Sequence, residues 1–286
     1  MMNKYFILSA LFCMPLFLTA QKWEVGVFAG TSHYNGDLTE GVVMTENLHP
    51  GVGGIIRYNL NYKWSIRAAG HYATISGDDA LVTNQQNVAR NLNFYSPISE
   101  LSVCPEFHFT GYKLRHRRYS FSPFAFIGVG IYKFNPQTEY TDPTTGVTTV
   151  YSLQPMRTEG QGSTYNQQTN GPDLYNLTQV CIPFGLGVKY ALGRSLNLTF
   201  ELSARKVFTD YLDDVSHWYV PQDVFYQTSG LGIGWRLADR RSELTGRPVE
   251  PTDLIGPRGN SAANDWYYFN GFTLTYTFYP PRCFKF

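Results

Sequence analysis

Residues 180–204 read VCIPFGLGVKYALGRSLNLTFELSA, and their period of two decides the fold. Val180, Ile182, Phe184, Leu186, Val188 and Tyr190 share one face, with Gly185, Gly187 and Lys189 on the other. After a tight Leu-Gly-Arg-Ser connection, Leu196, Leu198, Phe200, Leu202 and Ala204 oppose Thr199, Glu201 and Arg205. Alternation at this spacing belongs to strands whose two faces meet different surroundings. Each arm runs to about ten residues, the length a tilted strand needs to cross a bilayer.

The same pattern recurs in both directions along the chain. It is present in KWEVGVFAG (22–30), GVGGIIRYNLN (51–61), WSIRAAGHYATISG (64–77), SELSVCPEFHFT (99–110), SPFAFIGVGIYKF (122–134) and DWYYFNGFTLTYTF (265–278). Tight connections around 61–63 and 192–195 and a moderate one through GYKLRHRRYS (111–120) alternate with long ones at 31–50, 77–92, 135–178 and 210–264. Strict short-long alternation is the habit of outer-membrane barrels, with periplasmic turns and longer external loops. The expected fold is therefore all-β, a transmembrane antiparallel β-barrel of eight strands. TEYTDPTTGVTTVYSL (138–153) reads as a hairpin that either stands above the membrane or adds two strands to make ten. A soluble lipocalin-like barrel shares the periodicity but turns its apolar face inward. WRLADRRSEL (235–244), in the last long loop, reads as a short surface helix.

Composition agrees with a membrane barrel. Charged residues are 16% of the chain, against about 25% in soluble domains, and aromatic residues are also 16%, with 21 Tyr and 20 Phe. A net charge of +1 lacks the basic excess of a nucleic-acid partner. MMNK, the apolar YFILSALFCMPLFL and the closing LTA read as a secretory signal peptide over residues 1–20, cleaved after Ala20 and implying Sec-dependent export to the outer membrane. Phe12 before Cys13 disfavours a lipoprotein signal. Residues 21–286 then form one barrel domain with large external loops at 135–178 and 210–264. No later stretch reaches the length of an apolar membrane helix. Cys104, Cys181 and Cys283 show no CxxC spacing and read as buried thiols.

An eight-strand barrel is too narrow for a channel, because side chains fill it. The face opposite the apolar stripe supplies Arg57, Arg67, His71, Glu100, Glu106, His108, Lys189, Glu201 and Arg205, a near-balanced set expected to pair and stiffen the barrel. Chemistry would have to come from YLDDVSHWY (211–219), where Asp213 or Asp214 and His217 could share a helical face in the manner of an omptin-like protease. A lipid A deacylase wants His-x-Ser, whereas His71 is followed by Tyr72 and Ala73 and His217 by Trp218 and Tyr219. The reading is non-enzymatic, with no catalytic or cofactor residues. A lipid- or peptide-hydrolysing outer-membrane enzyme and a small-molecule pore stay open as alternatives. Asp210, Asp213 and Asp214 are candidate calcium ligands, since calcium takes hard oxygen donors, although the spacing is not that of an EF-hand. Their other reading is loop-to-loop pairing with Arg157, Arg240 or Arg241. Tyr211, Trp218 and Tyr219 are placed for an outer aromatic girdle.

Seven blocks along the mature chain carry a resemblance: GVFAGTSHYNGDL, RYNLNYKWSIRAAG, FSPFAFIGVGIYKFNP, LQPMRTEGQG, IPFGLGVKYAL, RKVFTDYLDDVS and DWYYFNGFTLTYTF. In this order they resemble the PorG family of outer-membrane proteins from the type IX secretion system of Bacteroidota. The resemblance implies a non-catalytic barrel that anchors a periplasmic ring, made by the lipoprotein PorK and its partner PorN, in a machine that exports proteins and supports gliding in some members. On that reading the partner-facing parts are periplasmic. They are Lys113, Arg115, Arg117 and Arg118 of the basic turn, which suits an acidic partner, and Cys283 in the C-terminal tail.

Overall fold

The computed structural model describes residues 23–41, 45–114, 116–169, 171–228, 233–246 and 256–278. The signal peptide expected at 1–20 and the tail 279–286 with Cys283 lie outside the described residues.

The alternating runs become long strands: β1 (Trp23–Asn35), β2 (His49–Asn59), β3 (Trp64–Asp78), β4 (Asn93–His108), β5 (Phe121–Ile127), β6 (Val129–Lys133), β7 (Gln137–Thr141), β8 (Thr148–Ser152), β9 (Thr178–Ala191), β10 (Leu196–Val207) and β11 (Trp266–Thr277). All pairings are antiparallel, and they return upon themselves. β1 pairs with β2, β2 with β3, β3 with β4, β4 with β5 and β6, both of these with β9, β9 with β10, β10 with β11, and β11 with β1. A circuit of this kind leaves no unpaired edge among its members.

Exposure runs opposite to that of a water-soluble barrel. Val27 (65%), Leu101 (67%), Val129 (69%) and Leu186 (61%) are exposed, while Arg57, Glu106, Glu201 and Arg205 are fully buried. The alternation set by the sequence therefore points its apolar face outward, which removes the lipocalin-like reading. No helix among the described residues is long and apolar enough to cross a membrane.

Two expectations about the elements need correction. Residues 122–134, read as one run, are divided at Gly128 into β5 and β6 without loss of register. The register sets Pro105 opposite Ile127 and Pro183 opposite Gly128, and proline has no N–H to give a neighbouring strand. Gly128 still donates its N–H to the Pro183 carbonyl at 2.9 Å. A Cβ there would lie 2.2 Å from the Val103 carbonyl oxygen, so only glycine fits. In 235–244, two short helices replace the single surface helix, Gly234–Ala238 and Arg241–Thr245, and the first buries Leu237 and Ala238. Ala238 packs with Val220 and Phe225, and this apolar contact draws the segment inward.

The hairpin expected at 138–153 forms as β7 and β8. Its ladder to the main circuit is the pairing of Gln137 with Tyr95, beside which Thr138 donates to Asn93 at 2.6 Å, so it extends the loop end of β4 and adds no strand to the circuit. Cys104 and Cys181 are buried free thiols, as expected.

Candidate functional site

The inward positions of the strands assemble a column of ion pairs. Lys189 Nζ donates to Glu24 at 2.7 Å, and Arg57 donates to Glu24 at 2.9 Å and to Glu106 at 2.6 Å. Arg67 continues it, 3.5 Å from Glu106 and 2.6 Å from Glu201. Nearer the long loops, Arg205 donates to Glu100 at 2.9 Å, Tyr267 donates its hydroxyl proton to the same carboxylate at 2.9 Å, and His71 lies 3.7 Å away. Rings cover the cations: Arg67 sits 3.7 Å from the Phe126 centroid, Arg205 4.6 Å from Phe269 and Lys189 4.3 Å from Tyr112. Buried charges survive when they are paired and hydrogen-bonded, and here four glutamates face three arginines and a lysine. Glu24 was missing from the sequence-derived set, although its place between Trp23 and Val25 carried the same period-two signal. At the short-turn end, Tyr112 turns into the barrel, donates to Asn197 Oδ1 and closes the floor. Gly111, at φ 78°, makes that reversal.

At the opposite end the long loops fold into a cap around YLDDVSHWY. Glu159 is its hub. It accepts from the Ser216 N–H at 2.8 Å, the His217 N–H at 3.1 Å, the Tyr211 hydroxyl at 2.9 Å and Arg258 at 3.1 Å. Asp214, held at φ 67°, accepts from Tyr175 at 2.6 Å and from Thr158. The hydroxyl of Tyr34 lies 2.6 Å from Asp213 Oδ2 and 3.0 Å from Asp265 Oδ1, and the Leu212 and Val215 N–H groups donate to these two carboxyls. Burial pushes Asp210 up to about 8, with the Asp37 and Glu159 carboxyls adding to it. Burial likewise raises Asp214 to about 6, against the pull of Arg258, and lifts Asp213 and Asp265 well above the usual carboxylate range.

The three candidate calcium ligands are thus turned to different partners, Asp214 toward Thr158 and Tyr175, Asp213 toward Tyr34 and Asp210 toward Ser216. Among the described residues no group of three or more His, Cys, Asp or Glu side chains is placed to hold a metal ion. The cation that meets these acids is Arg258, 4.0 Å from Asp214, and not one of the three expected. Arg157 instead donates to the Gln161 carbonyl, Arg240 pairs with Glu243, and Arg241 with Asp239. Arg258 lies 44 residues from Asp214, a separation no local pattern reveals. The helical Asp–His face does not form. Residues 210–217 are bends and irregular chain, and His217 Nδ1 faces Ser216 Oγ at 2.8 Å and Tyr211 Oη at 3.0 Å. With Ser216 buried and the acid and the hydroxyls all crowding Nδ1, the arrangement lacks the nucleophile–base–acid order of a triad. Tyr211 is buried and stacked on Tyr175 at 4.8 Å rather than placed in a girdle, and Arg241 covers the Tyr219 ring at 4.9 Å; Trp218 remains exposed.

The basic turn lies at the short-turn end, with Lys113 and Arg118 exposed and Arg117 in a 3-10 turn over Arg117–Tyr119. Arg115 and Cys283 lie outside the described residues. All 22 acidic residues are either one of the four interior glutamates or lie in or beside the long-loop connections. The three short connections therefore carry bases and no acids.

Residues 3–153, more than half of the chain, match the family model described as a domain of unknown function, DUF6089. The chain belongs to the DUF6089 family. No curated protein matches this DUF6089 chain. Solved structures similar to it include neisserial surface protein A, at 8% identity over 90% of this chain and 97% of that one, with a TM-score of 0.40. The attachment invasion locus protein Ail of Yersinia pestis, in complex with the heparin analogue sucrose octasulfate, is similar at 7% identity over 89% and 97% of the two chains, TM-score 0.39. A major outer membrane protein of Thermus thermophilus is similar at 13% identity over 89% and 98%, TM-score 0.38.

Proposed function

We propose that this DUF6089 chain is an eight-stave transmembrane barrel of the outer membrane, exported through the Sec pathway, and that it serves as a non-catalytic scaffold of the type IX secretion system. The observation that carries the membrane reading is the inverted sheet, apolar outside and ion-paired within. An apolar belt of this extent needs a lipid solvent, and a closed antiparallel circuit satisfies every backbone group without water. In the proposal β5 and β6 count as one stave, and the β7–β8 hairpin stands above the membrane.

The scaffold role rests on the ordered sequence blocks resembling PorG, and it assigns the periplasmic side to the short turns, facing the PorK and PorN ring. A charge-paired interior suits an anchor, because its buried ions hold one another across the sheet. Pull-down of the tagged protein from detergent-solubilised outer membranes tests the role. Recovery of the ring lipoprotein and its partner is expected; their absence, under conditions that keep the ring whole, would sink the scaffold reading and leave the barrel reading standing.

A further inference from the structure

We infer that the short-turn rim is a binding surface for anionic phospholipid headgroups, built from Lys63, Lys113, Arg118 and Arg194. This rests on the orientation proposed above and goes beyond it, because it gives the rim bases to the lipid rather than to a protein. The first argument is distribution. Lys63 lies in the β2–β3 turn, Lys113 and Arg118 in the β4–β5 turn, and Arg194 in the β9–β10 turn. They thus occupy three separate turns of the circuit, and a ring of charge fits the lipid that surrounds a barrel better than one docked partner.

Level is the second argument. The turns at 60–63 and 192–195 are too short to lift a side chain far from the strand ends. The bases stand among exposed rings that mark a membrane interface: Tyr62 (51%), Phe109 (53%) and Phe121 (49%). Lys63 Nζ lies 5.9 Å from the Tyr62 centroid and the Arg118 guanidinium 6.0 Å from that of Tyr119, while the two tyrosine rings are 6.1 Å apart. Long basic side chains that lie along rings and present their charge at the headgroup level are the arrangement that holds phosphate at a membrane surface. The third argument is exclusion. No Asp or Glu occurs in 59–64, 109–121 or 191–195, so none of these turns supplies a carboxylate of its own.

The test uses the purified full-length protein in bilayers of phosphatidylcholine containing either brominated phosphatidylglycerol or brominated phosphatidylcholine, and reads quenching of tryptophan fluorescence. Trp64, exposed beside Lys63, reports on lipid at this rim. The expected result is about a threefold or greater preference for the anionic lipid at low salt. That preference should fall to about one in high salt and in the Lys63→Gln, Lys113→Gln, Arg118→Gln, Arg194→Gln variant, whose heat-modifiable gel mobility shows that the barrel has folded. Equal quenching by the two lipids, or a preference that the variant retains, overturns the inference. Equal quenching together with loss of ring recovery by the variant overturns it in favour of an acidic protein partner. If neither lipid quenches, the membrane-spanning reading fails as well.

Discussion

Glu24 shows what a single side chain does in this interior. Its carboxylate accepts from Arg57 and Lys189, and Asn59 donates to its other face at 2.8 Å. Replacing it with Gln leaves two buried cations short of a counter-charge, and breaking a buried pair from one side costs about 3–5 kcal/mol. Glu24→Gln is therefore expected to lower the urea midpoint of the barrel in lipid, and Lys189→Met in the same chain to restore part of the loss. An unchanged midpoint in the single variant would contradict the pairing. The sequence made the inward charges legible because position parity alone assigns them a face, and every one of the nine so read is buried. It could not say which acid meets which base. Arg67 and Glu201 are 134 residues apart, and only closure of the sheet brings them within 2.6 Å.

At the scale of elements, the long strands were readable and the cap was not. Strands advertise themselves through alternation against two contrasting surroundings, whereas residues 156–169, 171–176 and 210–217 are held by specific side-chain hydrogen bonds that follow no period. The chemistry of the cap nevertheless fixes how it should respond to pH. Asp210 is raised to about 8 and Asp214 to about 6 by burial, while a carboxyl in an opened loop titrates near 4. Between those values the closed cap holds protons that the open cap releases, so its stability falls as pH rises through about 4 to 8. Asp37, Asp213 and Asp265 are shifted in the same direction. Arg90 and Arg258 are the cations facing this group, and both keep their charge throughout. Amide exchange at Leu212, Val215 and Ser216, corrected for intrinsic rates, is expected to be faster at pH 8.5 than at pH 6, with the barrel amides of β10 and β11 unaffected. Equal or greater protection of the loop at pH 8.5 would refute the buried-acid account.

For the whole molecule, the arrangement of charge decides whether a closed sheet conducts. The closed circuit proposed to be an eight-stave barrel would be barely wider than the side chains that fill it, and buried groups occupy it at successive levels. Tyr112 and Asn197 close the floor, the column from Lys189 to Glu201 and the Glu100–Arg205 pair occupy the shaft, and the Glu159–Arg258 cap covers the top. A permeating ion would have to displace paired charges from one another in surroundings that water does not reach, and each displaced partner would carry the full cost of an unpaired buried charge. The purified protein in planar bilayers at high potassium chloride is accordingly expected to show no resolvable conductance steps. Glu24→Gln, which loosens the column without opening floor or cap, should remain silent too. Reproducible steps from the native chain would mean that the ion-paired interior yields to a passing ion, and the pore alternative would then replace the scaffold.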